Sequence, residues 1–154
     1  ASGGYVAAHR EIVDLLRQRS RPYLFSNSVA PIVVAGSLEA LEIASGSAEA
    51  RTRLFENTAL FRRLMTEAGF AVNPPSQIGP HPITPIMFPG DDGARQATRI
   101  ADHMLGQGVY VIAFSFPVVP RGKARIRVQL SAAHSDADVR ACVDAFVAAR
   151  EAVG

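Results

Sequence analysis

Arg127 and His134, seven positions apart, close the segment 117–134, PVVPRGKARIRVQLSAAH. A guanidinium is a planar fork of donors that matches a carboxylate or phosphate, and an imidazole can carry a proton or ligate a metal. Ile126, Val128 and Leu130 alternate with Arg125, Arg127 and Gln129. Side chains on a strand alternate with period two, so the apolar set faces a core and both arginines face away from it. An arginine on a strand backed in this way is a rigid donor for a small anion, whereas an arginine on an ordinary strand is a surface residue. The surface reading is the commoner one, and the preceding Pro-Gly loop shifts the odds toward a ligand, because such a loop can bring backbone close to whatever binds. His134 has no histidine, cysteine or acid at ligand spacing, and His9, His81 and His103 are scattered. No metal site is expected, and His134 reads as a core or helix-capping residue.

A second candidate lies in RQRSRPYLFSNSVAP, residues 17–31. Ser26, Asn27 and Ser28 precede a helix start, where unpaired N–H groups and the helix dipole favour anions. Taken alone, such serines are more often ordinary N-caps. Gly3 and Gly4 form a turn that by itself signals little. Cys142, the single cysteine, sits among the apolar positions of a helical segment and reads as core. It excludes an internal disulfide and fits a reducing compartment.

These residues need a scaffold. The 154 residues make one domain, or one domain and a piece of another, and a 48% apolar content supplies a core. The net charge is +2 with a pI near 9.1. Lys123 is the sole lysine, and the arginines are mixed with acids except at Arg17, Arg19 and Arg21, which read as a solvated helix end. Without a basic stripe interleaved with aromatics, no nucleic-acid partner is expected. No apolar run approaches the roughly 20 residues of a membrane span, and there is no signal-peptide pattern, so a soluble cytoplasmic protein is expected.

Periodicity predicts a helix over 5–19 carrying Val6, Ile12, Val13 and Leu16, broken at Arg21-Pro22. Residues 23–28 read as a short extended segment, and Pro31 opens a helix to about Ala44. A helix over 47–68 presents the stripe Ala50, Leu54, Phe55, Thr58, Phe61, Met65 and Ala68, and Gly69 stops it. Residues 70–82 read as a loop with Pro74, Pro75, Pro80 and Pro82. ITPIMF (83–88) reads as a strand that Pro85 confines to an edge or a bulge. PGDDG (89–93) is turn chemistry. A helix over 94–105 carries Ala97, Ile100, Ala101, Met104 and Leu105 and ends at Gly106 and Gly108. Strands are expected at 109–114 and 124–130. Ser135 with Asp138 makes a capping box for a last helix that buries Val139, Cys142, Val143, Phe146 and Val147. From about residue 70 the order is strand, strand, helix, strand, strand, helix. That order predicts an α+β fold, a small sheet with helices on one face, preceded by a helical arm.

Taken together, GGY, RPYLFSNSVAP and GVYVIAFSFPVVPRGKARIRVQLSAAH resemble, in that order and spacing, the C-terminal portion of the α-oxoamine synthases. These are pyridoxal-phosphate enzymes of the fold-type I aminotransferase superfamily. The resemblance covers essentially the whole chain. RQRSRPYLFSNS with PVVPRGKARIR looks most like the members that condense glycine with acetyl-CoA. The resemblance implies that Arg127 binds the carboxylate of the amino-acid substrate. Ser26 matches a hydroxyl residue that reaches the cofactor phosphate of a neighbouring subunit, and Gly3 and Gly4 match a turn that permits close packing. Arg125 inherits no role and is treated as surface. A homodimer is implied, with residues 1–28 ending the large cofactor domain, 29–69 a helical connector and 70–154 the small α+β domain. The family's cofactor lysine precedes the glycine turn, and Lys123 does not match it. The chain is therefore expected to be part of a larger enzyme, with no catalytic residue of its own and no activity alone. Another condensing enzyme of the family and a non-catalytic carboxylate-binding module are the alternatives.

Overall fold

Among the described residues, every buried side chain lies after residue 56, and the fold divides accordingly. The computed structural model describes residues 3–73 and 81–154, so Pro74, Pro75 and Pro80 of the expected loop lie outside the described residues. Two compact units emerge, Ala1–Ala48 and Glu49–Gly154.

The first unit holds three helices, α1 (Arg10–Arg19), α2 (Arg21–Leu24) and α3 (Pro31–Gly46). The expected start of α1 at residue 5 is corrected to Arg10, because a glycine pair disfavours helix and no side chain caps the start. Pro22 ends α1, since a proline ring clashes with the carbonyl four residues back. The same proline then opens α2 from its first turn, where no N–H is needed, so the extended segment expected at 23–28 is helical in its first part. α3 runs two residues past Ala44. The Ser37, Ser45 and Ser47 hydroxyls donate to the carbonyls of Val33, Leu41 and Ile43, each at 2.7 Å. None of the three helices buries a residue. Gly3 is closely packed: a Cβ there would lie 2.9 Å from Val33 Cγ1, while Gly4 faces open space.

The second unit contains α4 (Ala48–Glu67), β1 (Ile83–Pro89), α5 (Gly93–Gly106), β2 (Ile112–Phe114), β3 (Lys123–Gln129) and α6 (Asp136–Val153). The three strands form an antiparallel sheet in the order β1-β3-β2. Thr84, Ile86, Phe88, Ala124, Ile126 and Val128 are buried on one face with Ile100 and Met104 of α5 and Val139 and Phe146 of α6. This is the α+β layer expected. Phe146 is the hub, its ring centroid 6.5 Å from that of Phe61 and 5.6 Å from that of Phe70.

The stops are chemical. Gly69, at φ +79°, follows α4; its N–H donates to Thr66 and that of Phe70 to Met65, the paired bonds of a Schellman motif. Gly108, at φ +82°, repeats the arrangement after α5: its N–H donates to Leu105 and that of Val109 to Met104. That motif claims the backbone of 108–109, so the strand expected at 109–114 shrinks to β2. Pro85 lies on the edge strand. Its carbonyl accepts from Asn73 on the side away from β3, so its missing N–H removes no ladder bond. Residues 71–73, part of the segment expected to be a loop, touch that edge through one bridge, Val72 to Ile86.

Three stripe residues of the second unit fall outside the core. Ala50 is exposed in the first turn of α4, and Phe55 and Leu105 are exposed, each a helical step of about 100° off the buried row. Asn57 is buried in place of Phe55.

Candidate functional site

The strand alternation holds along β3. Ala124, Ile126 and Val128 are buried, Arg125 is half-buried, and Arg127 and Gln129 are exposed on the opposite face. Antiparallel register fixes the neighbours there. Arg127 sits between Pro85 of β1 and Ile112 of β2, and Arg125 between Met87 and Phe114. Arg127 also reaches diagonally, its Cζ lying 4.4 Å from the Phe114 ring centroid. Arg125 turns its Nε–H to the Lys123 carbonyl at 3.2 Å.

Arg127, Ile112 and Phe114 line one wall of an open cleft of about 740 Å³ at the β2 edge. Residues 107–111 form a second wall. The third is the start of α6, with His134, Asp138 and Cys142. One strand-borne cation thus faces a concave surface that is otherwise largely apolar, the usual make-up of a small-molecule site. Among the described residues no carboxylate or carbonyl is bonded to Arg127. Its planar donor edge can take a carboxylate through two parallel bonds.

His134 shares the cleft with Arg127, but its ring closes a turn. The Ser131 N–H donates to His134 Nδ1 at 3.2 Å. The turn is anchored from α4. Asn57, 2% exposed, donates through Nδ2 to the Ser131 carbonyl at 3.0 Å and the His134 carbonyl at 2.8 Å. His134 is thus half-buried and closes the turn before α6, whose cap is Ser135, so the expected core or helix-capping role becomes that of a turn-closing residue. Next comes the expected capping box: Asp138 N–H donates to Ser135 Oγ, while Ser135 N–H and Oγ–H donate to Asp138 Oδ2. The Ser135 backbone bond, its hydroxyl bond and the nearby His134 hold the Asp138 carboxyl below the usual carboxylate range.

Cys142 lines the back of the cleft. It packs partly buried against the core cluster rather than within it, and burial pushes its thiol up to about 11. No cluster of three or more His, Cys, Asp or Glu that could hold a metal occurs among the described residues.

Ser26 belongs to the first unit, in the turn after α2. The cap position of α3 is Ala30, which forms no side-chain bond, so Ser26 and Ser28 are not its N-caps. The Ser26 hydroxyl is exposed, uncommitted among the described residues and available to an anion. Two contributors to the cleft escape a reading of sequence. Asn57 works across more than 70 positions, its only trace being a polar residue within an apolar helical stripe. Phe114 reads as one more apolar strand residue until the register puts it diagonal to Arg127.

Comparison with known proteins extends the geometry. The family model described as aminotransferase class I and II matches residues 1–146. The chain is 52% identical over 147 residues to human mitochondrial 2-amino-3-ketobutyrate coenzyme A ligase, covering 96% of this chain and 33% of that protein. It is 49% identical to the Salmonella typhimurium enzyme of the same name, covering 95% and 35%. Identity to 8-amino-7-oxononanoate synthase of Symbiobacterium thermophilum is 41%, covering 94% and 35%. A solved structure of SPT with PLP superposes with a TM-score of 0.83 at 27% identity, covering 97% of this chain and 36% of the other. The chain thus spans about a third of the length of the curated relatives it matches.

Proposed function

Because the chain belongs to the aminotransferase class I and II family, we propose that it forms the C-terminal part of a pyridoxal-phosphate acyltransferase that joins glycine to acetyl-CoA, giving 2-amino-3-ketobutyrate and CoA. The observation that carries this reading is Arg127, an unpaired guanidinium on a rigid strand at the wall of a mostly apolar cleft. Its role is to grip the glycine carboxylate bidentately and so fix the orientation of the Cα–H bond. Holding a reactant in one orientation is itself a large part of catalysis. The higher identity to 2-amino-3-ketobutyrate coenzyme A ligases than to 8-amino-7-oxononanoate synthase favours glycine and acetyl-CoA as the pair.

The residues of this chain fit the cofactor in part. Ser26 keeps an exposed hydroxyl free of capping duty, suited to one phosphate oxygen. When bound, pyridoxal phosphate supplies the electron sink for negative charge at the glycine Cα. Lys123 starts β3 as the only lysine of the chain. On this reading it is not the cofactor's lysine, which the whole enzyme supplies, so the chain alone is inactive. The exposed apolar side chains of the first unit suit burial in a homodimer, with Ser26 serving a neighbouring subunit's cofactor. Among the described residues no helix is long and apolar enough to cross a membrane, and the lone cysteine suits a reducing compartment such as the cytoplasm.

Replacing Arg127 by lysine keeps the charge but removes the planar fork. In the whole enzyme Arg127→Lys should raise the glycine KM about tenfold or more, with the acetyl-CoA KM little changed. An unchanged glycine KM would overturn the assignment. Acyl-donor preference separates this reaction from that of a family member using a longer acyl group.

A further inference from the structure

Three arginines in the second unit stack on phenylalanine rings, and their donor edges meet different fates. Arg150 lies 4.3 Å over Phe70, and its Nη1–H is committed to the Ala68 carbonyl at 2.8 Å. That pair ties α6 to the end of α4 and is structural. Arg121 lies 4.2 Å over the exposed Phe116 in the loop before β3, away from the cleft. Arg127 over Phe114 combines what the other two lack: it sits on the sheet, lines the cleft and has an uncommitted edge among the described residues.

We propose that Phe114 is the positioning residue of the cleft: its ring holds the plane of the Arg127 guanidinium so that the donor edge is presented to an incoming carboxylate. The proposal rests on the reading of Arg127 as the carboxylate clamp. Its physical basis is the division of a guanidinium into face and edge. The face is weakly hydrated and stacks on an aromatic ring; the edge carries all five N–H donors. Stacking therefore fixes orientation and consumes no donor. A carboxylate in Phe114's place would have done the opposite, occupying the edge before the ligand arrived.

Position makes the ring a dependable guide. Phe114 is half-buried at the end of β2, paired in register with Arg125 and diagonal to Arg127. Diagonal side chains on one face of a sheet lie about 7–8 Å apart at the backbone, within reach of a long side chain and a ring. Phe114 and Arg127 lie on adjacent hydrogen-bonded strands, so the sheet sets their separation. An exposed arginine otherwise samples many rotamers, and freezing it on binding costs affinity. A ring that freezes it beforehand lowers that cost.

The test compares Phe114→Leu, which keeps apolar bulk but removes the aromatic face, with Phe114→Tyr, which keeps the face, in the whole enzyme. Phe114→Leu should raise the glycine KM roughly three- to tenfold, the loss expected for a partly desolvated cation–π contact. Its kcat and acetyl-CoA KM should stay within about twofold, and Phe114→Tyr should restore the glycine KM. In the 154-residue chain, the Arg127 Cδ protons should show an upfield ring-current shift by NMR that Phe114→Leu abolishes. Arg127→Lys separates the two claims. If it raises the glycine KM while Phe114→Leu leaves it unchanged, the positioning role is overturned and the clamp stands. If Arg127→Lys has no effect, the clamp itself fails. A fall in kcat with unchanged glycine KM in Phe114→Leu would mark a structural role and also overturn the proposal.

Discussion

The two units of this chain are built by opposite means. In Ala1–Ala48 the helices form from local preference: prolines near helix starts, an amphipathic α1, and an α3 that is apolar on nearly every side. None of their starts has a side-chain cap, and none buries a residue. In Glu49–Gly154 each of two helix ends is closed by a glycine Schellman motif, the last helix starts in a capping box, and the buried residues form a single cluster around Phe146. The difference teaches where each unit's stability resides. A helix apolar all round is built to be buried, so the first unit suits assembly within a larger protein. The second carries its own core.

The sharpest way to break this contrast is a matched pair of truncations to alanine. Phe146→Ala empties the hub of the second unit and should cost about 3–5 kcal/mol. Ile32, 81% exposed on α3, should cost less than about 0.5 kcal/mol when replaced by alanine in the same chain. Urea unfolding followed by circular dichroism measures both, and comparable losses would dissolve the distinction. Next in size is Asn57→Ala. It strands the carbonyls of Ser131 and His134 that Asn57 now satisfies, and about 2–3 kcal/mol should go with them. A loss below about 0.5 kcal/mol would mean that the turn before α6 stands without its α4 anchor.

A smaller loss sharpens the contrast in helix capping. Ser135→Ala removes the α6 cap and should cost about 1 kcal/mol. The pH dependence follows from Asp138. Its folded pKa is depressed, so the stabilisation is present above the ordinary carboxyl value and is lost as pH falls through the folded one. Asp138→Asn should therefore flatten the acid limb of the stability profile. Cys142 acts at the other end. Its thiol is raised from 9.0 to about 11, so its contribution holds below pH 9 and fades as pH climbs toward 11. Cys142→Ala should remove that alkaline decline.

Local chemistry was legible in the sequence, and long-range pairing was not. The Ser135–Asp138 box, the glycine stops at Gly69 and Gly108, and the in–out order of Ile126, Arg127 and Val128 are written in neighbouring residues. So is the position of Pro85 at an edge. What sequence hides is decided by partners far away. Leu105 reads as core because it is apolar, and it is exposed because it lies a helical step off the buried row of Ala97, Ile100 and Met104. Val109 carries strand propensity, but its N–H is already claimed by the end of α5. Phe114 gains meaning only when β2 and β3 adopt their register, and Asn57 only when α4 meets the turn before α6.

The edge at Pro85 has one more consequence. A free strand edge invites neighbours to add to the sheet, the route by which small α+β domains polymerise. Here an added strand would find a ring where it needs a donor at Pro85, and at that carbonyl and the Met87 N–H it would find residues 71–73 already bonded. The cleft lies at the opposite edge, beside β2. The sheet is thus blunted against its own kind on one border and flanked by the open cleft on the other.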